Sequence, residues 1–123
     1  MVGVLPCSGA CNVGQLTGKA VVRAAHLRPG KVGFVCALGL PLGIPGIIKK
    51  AQDNFDVHIG LDGCSVQCAT KALQSAGLVP AESIVVTDDV CVQKNEDLVD
   101  ETGLDQLVEM ILERVDRLST RQE

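Results

Sequence analysis

The chain has no tryptophan and no tyrosine, and only two phenylalanines, Phe34 and Phe55. Base-stacking platforms and aromatic cages for cations need such rings, so neither is the basis of its function. A basic stripe is missing as well. Eleven Lys and Arg stand against fifteen Asp and Glu, leaving a net charge of −4 with the two signs interspersed, which does not suit a nucleic-acid groove. Long hydrophobic runs are also absent. The most apolar uncharged stretch, residues 32–48, is broken by Gly39, Pro41, Gly43, Pro45 and Gly46, and it falls short of the ~20 apolar residues of a membrane helix. Residues 1–5 carry no positive charge and are too short for the core of a signal peptide. These absences point to a cytoplasmic protein with neither a membrane nor a nucleic acid as partner.

Six cysteines and 13 glycines are what is there, in a chain of 123 residues that is 46% hydrophobic. That length suits one domain, expected over residues 1–118 with a short polar tail at 119–123. It is enough to bury a core without disulfide staples. In a compartment that keeps thiols reduced, so many cysteines suggest metal or thiol chemistry.

Four short apolar runs, at 2–5, 31–35, 57–61 and 83–86, alternate with helix signals. This β-then-α rhythm, with strands apolar on both faces, predicts a three-layer α/β/α fold around a four-stranded parallel sheet, in the order 2-1-3-4. The first helix is expected from Asn12, a good N-cap with Gln15 three residues on, and ends before Pro29-Gly30. A short helix starts at Pro45, a third runs over residues 64–76, and Thr102 with Asp105 opens the last. Leu104, Leu107, Val108, Ile111, Leu112, Val115 and Leu118 form the apolar stripe of that last helix.

On this skeleton Cys7, Cys36, Cys64 and Cys91 each follow a strand, and Cys68 lies four residues beyond Cys64. All strand C-termini of a parallel sheet share one edge, where open α/β sheets bind ligands. Residues i and i+4 of a helix share a face, about 5–6 Å apart at Cβ. Two sulfurs on one zinc must lie roughly 4 Å apart, so Cys64 and Cys68 on one helix could serve as a ligand pair. Cys7 and Cys36, at adjacent strand ends, would close a four-thiolate site. A thiol redox or sulfur-transfer pair, Cys7/Cys11 or Cys64/Cys68, is a competing use of the same residues, and an iron–sulfur cluster is a third. Other motifs fail. Val13 stands where a cysteine phosphatase needs Arg, and Gly14 to Ala20 has the wrong spacing for a phosphate loop. Asp62, in an Asp-Gly turn, reads as structural or as a partner of the metal ligands. His26 and His58 lie away from the strand C-termini.

The segments Cys7-Ser-Gly-Ala-Cys-Asn-Val-Gly-Gln15, Val35-Cys36 with the Gly/Pro loop after it, Asp62-Gly63-Cys64-x3-Cys68 and Ile84-Val-Val-Thr-Asp88 together resemble the DGC-domain family of small prokaryotic zinc-binding proteins. The resemblance covers residues 3–95. It implies zinc held by four chelating cysteines, which map to Cys7, Cys36, Cys64 and Cys68, and it implies no particular reaction. Cys11 departs from the pattern, where Ser or another small residue is expected, and Cys91 is an extra. Loop 39–46 carries Leu40, Leu42 and Ile44, too apolar for an ordinary solvent loop. It is expected to lie over the metal or to meet a protein partner or a second copy of the chain.

Overall fold

The computed structural model describes residues 1–122. Strands β1 (Val2–Pro6), β2 (Val32–Phe34), β3 (Val57–Asp62) and β4 (Glu82–Val85) form one sheet in the order β2-β1-β3-β4, every neighbouring pair parallel. Helices α1 (Asn12–Leu27) and α4 (Leu104–Gln122) cover one face, and α2 (Pro45–Asp53) and α3 (Cys68–Ser75) the other. The three-layer α/β/α architecture and the strand order are those expected from the sequence.

Alternation along the strands creates the two faces. Val2, Val4, Ile59, Leu61 and Ile84 pack under Val13, Leu16, Ala20, Val21 and Ala24 of α1 and Leu107, Val108, Ile111, Val115 and Leu118 of α4. Leu5 points the other way, into a smaller core with Val35, Leu40, Ala51, Phe55, Ala69 and Leu73. Gly60 faces that second layer, where a Cβ would stand 2.6 Å from the Thr70 hydroxyl. The missing side chain lets α3 lie directly on β3. Arg28, just past α1, reaches α4 through a forked pair with Asp116 at 3.1 and 3.2 Å. Its hydrogen bond holds the Asp116 carboxyl below the usual carboxylate range. Glu82 of β4 pairs with Arg114 and Arg117 of α4.

Three local expectations are corrected. The third helix begins at Cys68, not Cys64. Gln67 adopts a left-handed conformation (φ 59°, ψ 47°) that interrupts any helix, and residues 64–67 form a tight turn closed by Gln67 N–H donating to Cys64 O at 3.1 Å. Cys64 and Cys68 therefore do not share a helix face. Asn12 does not cap α1: the cap is Cys11, whose sulfur accepts from Gly14 N–H at 3.3 Å. The fourth helix starts at Leu104, and Thr102 does not cap it: its hydroxyl is turned to Asp100 at 2.7 Å. The expected polar tail falls within α4 as far as Gln122, and Glu123 lies outside the described residues. Among the described residues no helix is long and apolar enough to cross a membrane.

Candidate metal and thiol site

The loops leaving the C-terminal ends of β1 and β3 meet at the start of α1. Gly63, after β3, is pressed against it: a Cβ there would stand 2.8 Å from Gly14 N. Only glycine permits this contact, since the opposing atoms are backbone and cannot yield. The same approach lets Gly63 N–H donate to Cys7 Sγ at 3.3 Å. Cys7 Sγ also lies 3.9 Å from Thr17 Oγ1, whose hydroxyl accepts from Ser8 N–H at 3.1 Å. Ser8 takes a left-handed backbone (φ 50°), which turns the chain directly after Cys7.

Asp62, the last residue of β3, is 1% exposed. Its carboxylate accepts from Ala69 N–H at 2.6 Å, Thr70 N–H at 3.4 Å and the Thr70 hydroxyl at 2.7 Å. The two amides belong to the first turn of α3 and otherwise lack partners within the helix. Asp62 thus anchors the helix whose first residue is Cys68.

The result is a cavity of about 230 Å³ whose walls include Cys7, Cys11, Cys64, Cys68 and Lys94. Three of its four sulfurs accept hydrogen bonds: Cys7 from Gly63 N–H, Cys11 from Gly14 N–H, and Cys64 from the Lys94 ammonium at 3.7 Å. Cys7, Cys64 and Cys68 are three of the residues singled out in the sequence. Cys36, the fourth, is exposed at the end of β2 and lines a separate crevice of about 110 Å³ with Phe34, Lys50 and Phe55. Cys11 joins the cavity in its stead. Cys91 is exposed, with its thiol turned to Asp88 O at 3.6 Å.

A second crevice, about 190 Å³, shares Cys7 and Cys68 with the cavity and is closed on its other side by Leu38, Pro41 and Ala72. The Gly/Pro loop is therefore beside two of the cysteines. Leu40 is buried in the second core, while Leu42 and Ile44 are 70% and 43% exposed. His58 Nε2 lies 2.8 Å from Ala51 O and its ring meets Phe55 edge-on, so it belongs to the core. His26 lines an open groove along α1, with no cysteine in its walls. Asp89 caps its own turn by accepting from Val85 N–H at 2.7 Å.

Four thiols are a soft donor set, suited to zinc, copper(I) or an iron–sulfur cluster rather than to magnesium or calcium. Hydrogen bonds to sulfur are also what thiolate ligands of a metal accept. The donors fit such an ion in kind. Among the described residues, however, no three His, Cys, Asp or Glu side chains lie closely enough together to share one ion. Two contributors carried no signal in the sequence. Lys94 looks there like a solvated charge, and Asn12 like a helix cap.

The anaerobic and virulence modulator AnvM of Pseudomonas aeruginosa is 26% identical over 85 residues, which are 69% of this chain. The match spans 63% of AnvM, so more than a third of that relative lies outside it. No solved structure matches. The DGC-domain family model matches residues 3–111, from the first strand into the last helix and across all six cysteines. The chain belongs to the DGC-domain family.

Proposed function

We propose that this is a cytoplasmic zinc-binding protein whose metal is held by cysteine thiolates at the C-terminal edge of the sheet. One observation carries the reading: Cys7 and Cys11 from the loop after β1, Cys64 from the loop after β3 and Cys68 at the start of α3 line one cavity. Cys7, Cys64 and Cys68 are the core of the set, and the fourth ligand is Cys11, which lines the same cavity, in preference to Cys36. Zinc supplies there a redox-inert centre that can be structural, or can polarise a bound group if one position stays open. The protein supplies the rest. Gly63 N–H, Gly14 N–H and Lys94 receive negative charge on sulfur, and Asp62 fixes the helix that presents Cys68.

The test is metal content after anaerobic purification without chelators, followed by the six single Cys→Ser variants. Near one zinc per chain is expected, lost in the variants of Cys7, Cys11, Cys64 and Cys68 and kept in those of Cys36 and Cys91. Loss in Cys36→Ser with retention in Cys11→Ser would move the fourth ligand to the strand end. With no Trp or Tyr in the chain, absorbance above 300 nm would identify an iron–sulfur cluster instead.

A second reading is a thiol redox protein. The ammonium of Lys94 beside Cys64 favours it, because that is how reactive cysteines are commonly attended. The description of AnvM as an anaerobic and virulence modulator is compatible with either chemistry, since thiolate sites respond to oxidants. Alkylation separates the two. A metal-filled site protects its thiols until a chelator is added, whereas rapid labelling of Cys64 with zinc still bound would favour redox.

A further inference from the structure

We infer that Lys94 is a built part of the cysteine site, a positioning residue that compensates the charge of a thiolate-bound metal and does not merely face solvent. The inference rests on the metal reading above. Its basis is the way one segment is fastened to the start of α1. Asn12 is fully buried and makes three hydrogen bonds to that segment, on both sides of Lys94. Its amide group donates to Gln93 O at 2.9 Å, its side-chain oxygen accepts from Asn95 N–H at 2.6 Å, and its backbone N–H donates to Asn95 O at 3.1 Å. Val92, just before, is 6% exposed and sits in the main core. A stretch of chain clamped at 92, 93 and 95 leaves residue 94 little freedom, and the side chain there reaches Cys64 Sγ at 3.7 Å.

The chemistry gives this placement a purpose. Zinc bound by three or four thiolates carries excess negative charge, and partners of the ligating atoms offset it. The Gly63 and Gly14 amides already serve Cys7 and Cys11. Among the described residues no amide donates to Cys64 Sγ, and the Lys94 ammonium does. The ammonium also sits on the wall of the cavity itself, as the charged member of a lining that is otherwise thiol, glycine, alanine and valine. A residue there that merely solvated the surface would not need a buried asparagine to fasten the chain on either side of it.

The test is zinc affinity, read by titrating Zn(II) into the reduced apoprotein against a chromophoric chelator. Four proteins are compared: the unaltered chain, Lys94→Gln, Lys94→Arg and Lys49→Gln. Lys49 is an exposed lysine of α2 and controls for net charge. Lys94→Gln is expected to bind zinc about tenfold more weakly, the lower end for loss of a partner of a metal ligand, because the ammonium is exposed. Lys94→Arg keeps the charge and is expected to restore most of the affinity, while Lys49→Gln leaves it unchanged. Because Lys94 is exposed, the apoproteins should unfold alike. Equal affinity in Lys94→Gln and the unaltered chain would overturn the inference, as would an equal loss in Lys49→Gln. An unaltered chain that takes up no zinc would overturn the metal reading itself, which is a distinguishable result.

Discussion

In Asp62→Ala three donors lose their acceptor at once: Ala69 N–H, Thr70 N–H and the Thr70 hydroxyl. The site is 1% exposed, so bulk water does not simply replace the carboxylate. A hydrogen bond to a charged group contributes about 1.5–3 kcal/mol. The 3.4 Å contact is the weakest of the three, and water entering the vacated space recovers part of the rest. A loss of about 3 kcal/mol is therefore expected, which lowers the melting temperature by about 10 °C in a chain of this size. Denaturant unfolding of the reduced, metal-free protein, followed by circular dichroism, measures it. Zinc retention should fall as well, because α3 begins at Cys68 and its first turn is what Asp62 anchors. Asp62→Asn keeps the shape but turns one acceptor into a donor facing N–H groups, so it should fall between the two. A loss below about 1 kcal/mol, with zinc binding intact, would show that α3 does not depend on this carboxylate and would refute the reasoning.

Three further outcomes follow from the same structure. Gly63→Ala places a Cβ 2.8 Å from Gly14 N and 2.9 Å from Val13 C, so the β3–α3 turn must move off α1. Zinc retention and stability should both drop, as metal analysis and thermal unfolding would report. Ile111→Ala removes a fully buried side chain between α4 and the sheet and should cost about 2–5 kcal/mol by chemical denaturation, without a specific effect on the cysteines. Asp100 is held down to about 2 from an ordinary 3.8, first by the Thr102 hydroxyl, then by the Asn95 amide and the Thr102 N–H. A carboxylate depressed in the folded state contributes stability that is complete above its unfolded value. That contribution disappears as pH falls from about 4 to about 2. An NMR titration of the Asp100 carboxyl should show the low midpoint, and a midpoint near 3.8 would mean that the loop at 95–102 is not fastened in solution.

The sheet was legible in the sequence because each strand is a short apolar run bounded by turn residues, and because a right-handed crossover leaves few arrangements for four parallel strands. The placing of Cys7 and Cys64 near one edge was legible for the same reason, since it needs only the strand ends; Cys68 reaches the same cavity from the start of α3, and Cys36, expected with them, lines a separate crevice. Helix starts were less so. Asn12 and Thr102 are good caps by residue type, yet both side chains are used elsewhere, Asn12 by a segment more than 80 residues away and Thr102 by Asp100. The start of α3 was not legible, because Gln67 takes a left-handed conformation that no local spacing announces, and the first turn of α3 is held by Asp62 from the end of β3. Lys94 was missed on similar grounds. Its place at the cavity is set by Asn12, through contacts that no periodicity records.

The most direct test of the central claim is the zinc content of the full chain, purified anaerobically without chelators, counted against thiols titrated before and after a chelator is added. The account predicts near one zinc per chain and cavity thiols that become reactive only after the metal is removed. Protein that holds neither zinc nor iron, with Cys7, Cys11, Cys64 and Cys68 all freely reactive from the start, would contradict it.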